Sequence, residues 1–273
     1  MNTVLKYPGA KNRIAPWIID HMPEHSVYLE PYFGSGAVFF NKKPCRIETV
    51  NDLNSEVVNY FKVLRNKPTE LIELLELTPY GRDEYNNAYI ESDNDTDVEK
   101  ARKFVVKCFM GFGCSNLYKN GFRSSQQSSS PHTTKAWNEL PETLKKATLR
   151  LKNAQIENLS AIEIINRYNT EDVFIYADPP YLLDTRKGYL YKHEMTDEQH
   201  IELLELLVKH PGKVMISGYE NDLYNSILEG WEKAHKNTTA EQGLQRQEVI
   251  WMNYEVNKQI NLLRCNYESV FKL

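Results

Sequence analysis

Residues 173–182 read VFIYADPPYL, and the junction inside them decides the fold. The apolar run VFIY, 173–176, reads as a buried strand. Pro179 and Pro180 remove two backbone donors and fix φ, so strand pairing stops there. Asp178 and Tyr181 are then held on stiff backbone at the strand's carboxyl end. In open α/β sheets that edge is where ligands bind. The stretch is built to present an acceptor and an aromatic face to something small.

Working outward from it, strands and helices alternate. Residues 26–40, SVYLEPYFGSGAVFF, read as a strand, a glycine-containing turn and the start of a helix. RIETVNDLN (46–54) is a second strand, and SEVVNYFKVLRN (55–66) a helix with Ser55 as its cap. Downstream, AQIENL is a short strand and SAIEIINRYN a helix capped by Ser160. MTDEQHIELLELLVKH (195–210) is a helix with Thr196 at the cap and Gln199 at the capping-box position. KVMISGY (213–219), WEKAHKNT (231–238) and EVIWMNY (248–254) are three further strands. No helix separates the last two, so they are expected as an antiparallel pair. Between about 58 and 155 the pattern is helical, with a Gly-, Ser- and Gln-rich loop at 111–135. The expected architecture is an α/β, Rossmann-like, mostly parallel sheet with an antiparallel last strand. Residues 1–57 and 156–273 form it, and 58–155 are a mainly helical insert.

Composition narrows the class. The 273 residues are 41% hydrophobic, enough for a sizeable core, and no stretch approaches a membrane span. The first twenty residues show no apolar h-region. The four cysteines form no CxxC pair, which reads as reduced thiols in a cytoplasmic protein without structural zinc or other metal. The net charge of −4 hides an asymmetry. From Lys100 to Lys152 eleven basic residues stand with two acids, a local +9 that leaves −13 for the rest. A basic block in an acidic chain suggests a polyanion for that block.

The glycine turn EPYFGSG, 30–36, lets backbone approach a ligand closely at Gly34 and Gly36. Such strand-to-helix turns commonly cradle adenosine-containing cofactors. The loop lacks the full G-x-G-x-x-G and the GK[ST] of a triphosphate loop. Asp52, at the end of the next strand, suits the ribose hydroxyls; the bland alternative is an N-cap of the following helix.

Three pieces in order, KYPGAK (6–11), EPYFGSGAVFF (30–40) and DPPY (178–181), resemble the Dam-like, D12-class (α group) adenine-specific DNA N6-methyltransferases. The resemblance runs across nearly the whole chain except about 65–150. Tyr32 and Ala10 depart from the family's more frequent Phe and Gly. It implies S-adenosylmethionine as cofactor and double-stranded DNA as substrate, with the insert as target-recognition domain. It also implies that Tyr7, Lys11, Glu30, Pro31, Phe33, Gly34, Gly36, Asp52 and Asp178 contact the cofactor. Asp178, Pro179, Pro180 and Tyr181 are its catalytic motif. Asp178 and the Pro179 carbonyl are expected to accept the N–H bonds of a flipped-out adenine amine, and Tyr181 to stack on the base. The insert's NLYKNGFRSS, 116–125, offers Asn116, Lys119, Asn120 and Arg123 as DNA contacts, with Arg123 expected to read a base and Lys119 to anchor a phosphate. The Tyr-rich and basic segment 182–193 either closes over the base or touches phosphates, or is a plain surface loop. A cognate restriction enzyme is a further possible partner, and a monomer or weak dimer is expected. The rival readings are an N4-cytosine methyltransferase, for which Ser in place of Asp178 would be usual, a protein-glutamine methyltransferase, for which Asn would be, and a catalytically silent DNA-binding protein of the same fold.

Overall fold

From the N-terminus, α1 (Ala15–Asp20) leads to β1 (Val27–Glu30), the glycine turn, and α2 (Ala37–Asn41). β2 (Ile47–Asn51) is followed by helices α3 (Ser55–Asn66), α4 (Pro68–Glu76), α5 (Arg82–Asn87), α6 (Asp97–Met110), α7 (Lys135–Asn138) and α8 (Leu140–Leu151). β3 (Ala154–Glu157), α9 (Ala161–Arg167) and β4 (Val173–Ala177) restore the alternation. α10 (Asp197–Lys209), β5 (Lys213–Tyr219), α11 (Asp222–Ile227), β6 (Glu232–Thr239) and β7 (Gln245–Met252) complete the order. The structure is a computed structural model and describes residues 1–113, 118–125, 127, 132–186, 188–239 and 245–256.

The strands form one sheet in the order β3-β2-β1-β4-β5-β7-β6. β3 through β5 are parallel, β7 is antiparallel to β5, and β6 pairs antiparallel with β7. Val27 of β1 lies opposite both Ile47 and Val173. Chain order therefore reverses between β1 and β4, and a crevice opens beyond their carboxyl ends. Glu30 ends β1, and Asp178 directly follows β4.

All five residues of β4 are buried, because helices cover both faces. Phe174 and Tyr176 join a core with Ile18, Phe39, Phe61 and Phe104. Val173, Ile175 and Ala177 point the other way, toward Ile165, Leu204 and Tyr224. A one-residue slip of this strand would exchange both sets. α3 packs on both α6 and α8, and the three share the first core with the sheet. α3 begins at Ser55 and β3 at Ala154, so both elements run across the limits expected for the insert.

The cap of α3 is Asn54 rather than Ser55. Its Oδ1 accepts the Glu56 N–H at 3.0 Å, because Asn54 keeps extended backbone while Ser55 is already helical. Thr196 and Gln199 do form the expected capping box, and Ser160 caps α9. α11 is only six residues long and has no apolar periodicity to betray it. No helix among the described residues is long and apolar enough to cross a membrane.

The helices between β2 and β3 are bolted to the sheet by a buried ion triad. Glu48 of β2, 1% exposed, pairs with Lys42 at 2.5 Å and takes a bidentate contact from Arg150 of α8. The Arg150 guanidinium also lies 3.8 Å from the Phe39 ring centroid. Removing one partner of such a cluster leaves uncompensated buried charge. Glu48→Ala is therefore expected to lower unfolding free energy by roughly 3–5 kcal/mol, read from urea denaturation. A loss below about 1 kcal/mol, the scale of an exposed pair, would show the triad to be solvated.

Candidate active site

The stiff turn after β4 brings Asp178 against Lys11 from the N-terminal segment. Lys11 Nζ lies 2.9 Å from Asp178 Oδ2 and donates to the Gly9 carbonyl at 2.8 Å. Lys11 is only 7% exposed. Burial alone would push its ammonium down, but Asp178 and then Glu248 more than offset that, so Lys11 stays charged. Burial pushes Asp178 above the usual carboxylate range, against the pull of Lys11. The second oxygen, Oδ1, is buried and has no hydrogen-bond partner.

Tyr181 is held tightly just behind this pair. Its hydroxyl donates to Glu248 Oε2 at 2.6 Å, across to β7. Its ring meets Tyr219 of β5 edge-on, with centroids 4.7 Å apart, and Lys11 Nζ lies 4.7 Å from its centroid. The ring is consequently 9% exposed. Burial, then the Glu248 charge, hold the phenol far above its ordinary pKa, so it remains a donor.

The glycine turn is organised by Asp52. Oδ2 accepts the Gly34 N–H and Oδ1 the Asn54 N–H, both at 2.8 Å. Gly34 and Gly36 sit at φ +48° and +67°. A Cβ on Gly36 would fall 2.6 Å from ring carbons of Phe33 and Phe40. Asp52 does not cap α3; that is Asn54. Burial raises Asp52 to about 6, partly countered by the two amides. Glu30, accepting the Tyr28 hydroxyl at 2.8 Å, is raised by burial to about 8, with Asp178 adding to the rise.

One crevice joins these groups. Tyr7, Lys11, Glu30, Pro31, Phe33 and Gly34 line it, together with Asp52, Asp178 and Pro180. Gly36, Pro179 and Tyr181 stand outside the lining: Gly36 is the N-cap of α2, and Tyr181 is tucked toward β7. Sequence reasoning missed Asn54, whose Nδ2 donates to the Tyr7 hydroxyl at 3.3 Å, and Tyr191 and Glu202, which line the crevice. Tyr191 belongs to the Tyr-rich segment after the prolines. Arg186 folds that segment back, contacting Glu194 with both guanidinium nitrogens and donating Nε to the Tyr181 carbonyl at 2.8 Å. Glu194 Oε1 in turn accepts the Leu190 and Tyr191 amides. The Tyr191 hydroxyl fills the place a Cβ on Gly9 would need, 2.2 Å away. The segment is thus a wall of the crevice and not a plain surface loop.

A family model described as D12 class N6 adenine-specific DNA methyltransferase matches residues 7–242. The chain belongs to that family. The type II methyltransferase M1.LlaDCHI of Lactococcus lactis subsp. cremoris is 27% identical over 257 residues, 81% of this chain and 82% of the relative. The type II methyltransferase M.MjaIII of Methanocaldococcus jannaschii is 28% identical over 261 residues, 83% of this chain and 88% of the relative. The DNA adenine methylase of Salmonella typhi is 23% identical, covering 80% of this chain and 81% of the relative. The enzyme is a site-specific adenine-N6 DNA methyltransferase, and its family implies S-adenosylmethionine. The cytosine, glutamine and silent alternatives give way to that assignment.

The methyltransferase crevice suits such a donor chemically. A sulfonium with an α-amino group is cationic, and the crevice that would receive it is lined by three carboxyl groups, Glu30, Asp52 and Asp178. Among the described residues no cluster of His, Cys, Asp or Glu could hold a metal ion.

The DNA candidates lie elsewhere, on the loop after α6. Phe112 N–H donates to the Gly121 carbonyl at 2.7 Å, and Arg123 N–H to Met110 at 2.7 Å. Arg123 is half-buried and its Nε donates to the Gly111 carbonyl at 3.2 Å. Lys119 is exposed, its Nζ 5.6 Å from the Tyr89 ring centroid, and the Asn120 carbonyl accepts the Tyr85 hydroxyl at 2.6 Å. Asn116 lies outside the described residues.

Because Glu30 and Asp52 both have raised folded-state values, their protonated forms favour the fold. That contribution is complete below the unfolded values and is lost as pH rises through about 6 for Asp52 and about 8 for Glu30. The thermal midpoint of the ligand-free methyltransferase is therefore expected to fall as pH rises from 6 to 8. Glu30→Gln should flatten that slope. An equal slope in the variant would remove Glu30 as its source.

Proposed function

We propose that the Asp178–Lys11 pair prepares the exocyclic amine of an adenine extruded from duplex DNA. Family membership supplies the reaction; the buried, unpartnered Asp178 Oδ1 is the observation that supports this role. A buried acceptor without a donor costs about 1–3 kcal/mol, and a substrate N–H arriving there would recover it. Adenine N6 is a weak nucleophile because its lone pair is delocalised into the ring. An acceptor on its N–H favours a tetrahedral nitrogen and offsets the positive charge that develops there. Lys11 keeps Asp178 an acceptor by opposing the effect of burial. The Pro179 carbonyl, on the rigid proline pair, would take the second N–H. Asp178 would also be a base for the proton the nitrogen sheds.

S-adenosylmethionine, when bound, supplies a methyl already activated by its sulfonium. Asp52 would accept its ribose hydroxyls, since each of its oxygens keeps lone pairs beyond the one committed to an amide. Glu30 lies where cationic groups would favour its ionised form. Tyr7, Pro31, Phe33 and Gly34 would form the surrounding wall, and Gly36 would hold the turn from behind.

The base must leave the stack to reach this crevice. Tyr181, 9% exposed and outside the lining, would back the site, with Pro180 nearer the opening. The helices between β2 and β3 would carry target recognition. Six of the eleven basic residues in the +9 block are ion-paired among the described residues. Lys100, Lys119, Arg123, Lys146 and Lys152 have no ion pair there, and two of these five fall in the 118–125 loop, which supports that loop as a DNA contact, Lys119 toward phosphate and Arg123 toward a base edge. Kinship with type II methyltransferases supports a cognate restriction enzyme as a partner of the same recognition sequence. A cytoplasmic enzyme acting as a monomer or weak dimer fits this reading.

Asp178→Ala should abolish N6-methyladenine formation, detected by mass spectrometry of nucleosides after incubation with DNA and cofactor, while cofactor binding persists. Turnover within about tenfold of the parent, or under 1.4 kcal/mol, would remove Asp178 from the chemistry.

A further inference from the structure

We propose that Glu248, on the antiparallel strand β7, is a positioning residue for methyl transfer. By accepting the Tyr181 hydroxyl it fixes the ring against which Lys11 packs, and so holds Lys11 in register with Asp178. The inference rests on the role of Asp178 proposed above.

The contacts form one chain. Glu248 Oε2 takes the Tyr181 hydroxyl at 2.6 Å. Lys11 Nζ sits 4.7 Å from the Tyr181 ring centroid and 2.9 Å from Asp178 Oδ2. Tyr219 supports the ring edge-on from β5, directly opposite Glu248 in the strand register. Glu248 is the carboxylate the Tyr181 hydroxyl donates to at 2.6 Å, while Asp178 lies near enough to feel the same hydroxyl and is pulled slightly down by it. Without an acceptor the hydroxyl would be a buried unsatisfied donor, and the ring would turn to find water.

Glu248 also sets a balance of charge. Lys11 from the N-terminal segment, Glu30 from β1, Tyr176 from β4, Tyr191 from the crevice wall, Tyr219 from β5, and Glu248 and Arg246 from β7 all act around Asp178 and its two partners, Arg246 5.5 Å from the Tyr219 ring centroid. The Glu248 charge raises both Lys11 and Asp178. Removing it while keeping an acceptor should therefore let Asp178 stay ionised to lower pH.

The test compares Glu248→Ala, Glu248→Gln and Tyr181→Phe with the parent, using cofactor, duplex DNA and pH-dependent turnover. Glu248→Ala should lower kcat by at least about tenfold, the scale of one hydrogen bond to a charged group. Its cofactor Kd should stay within about twofold, since the loss acts on the reaction and not on uniform binding. Glu248→Gln, whose amide oxygen still accepts the hydroxyl, should recover most of kcat and move the acid limb of the profile to lower pH. A residue that merely holds β7 in place would not move that limb. The Glu248→Ala, Tyr181→Phe double variant should be no slower than the slower single one. If Glu248→Ala fails to fold, Glu248→Gln and Tyr181→Phe carry the test by the acid limb and by kcat. An unchanged kcat in Glu248→Ala, an unmoved limb in Glu248→Gln, or additive losses in the double variant would each overturn the proposal. Asp178→Ala run alongside separates the two readings, since activity there would overturn the role of Asp178 itself.

Discussion

A charged lysine in a nearly closed site needs a counterion, and Lys11 finds it in Asp178. Each member is costly to bury alone, and each makes the other tolerable. The pair draws the N-terminal segment over the carboxyl ends of β1 and β4, where chain order reverses. Gly9 then has room beneath it only for the Tyr191 hydroxyl. The wall of the crevice, its floor and its acceptor are thus assembled around one ion pair. Since Lys11 satisfies only Oδ2, the pair also leaves an acceptor in reserve at Oδ1.

Asp52 plays the corresponding part for the glycine turn. A turn with two residues at positive φ has few contacts of its own to hold it. Asp52 spans it by taking amides from Gly34 and Asn54, while Asn54 caps α3 and reaches Tyr7. One carboxylate therefore couples the turn, the next helix and the N-terminal motif. Removing it would disturb the loop as well as any ligand contact, so an affinity loss in an alanine variant would report both effects.

Much of this was legible in the sequence because its signals are local. The β4 run, the double proline, the Thr196 capping box and the Ser160 cap are read from neighbours in the chain, and each appears in the structure at its expected place. The motifs at Tyr7–Lys11, Glu30–Gly34 and Asp178 line one crevice. What escaped was set by contacts between distant segments. Glu248 sits in an alternating strand like any exposed acid, and only the β5–β7 register brings it to Tyr181. Tyr181 looked free to stack on a base, yet Lys11, Tyr219 and Glu248 enclose it, from segments 170, 38 and 67 residues away. Asn54 took the cap from Ser55 because the preference of both residue types is similar and backbone conformation decides between them.

Charge counting shows the same division. A +9 block reads as a strong field for DNA, but a field depends on what the charges face. Arg150 is spent on Glu48, Arg102 on Glu84 and Glu99, Lys103 on Asp95 and Lys107 on Glu56. Two of these partners, Glu48 and Glu56, come from outside the helical insert's middle, so the excess charge partly fastens the insert to the sheet. The potential left for a phosphate backbone is concentrated in fewer residues than the composition suggests, and the loop carrying Lys119 and Arg123 becomes a larger share of it. Fewer neutralised phosphates mean a shallower salt dependence of affinity. On the reading proposed above, sequence specificity would rest on contacts to base edges made from this loop, since phosphate contacts position the protein without reading sequence.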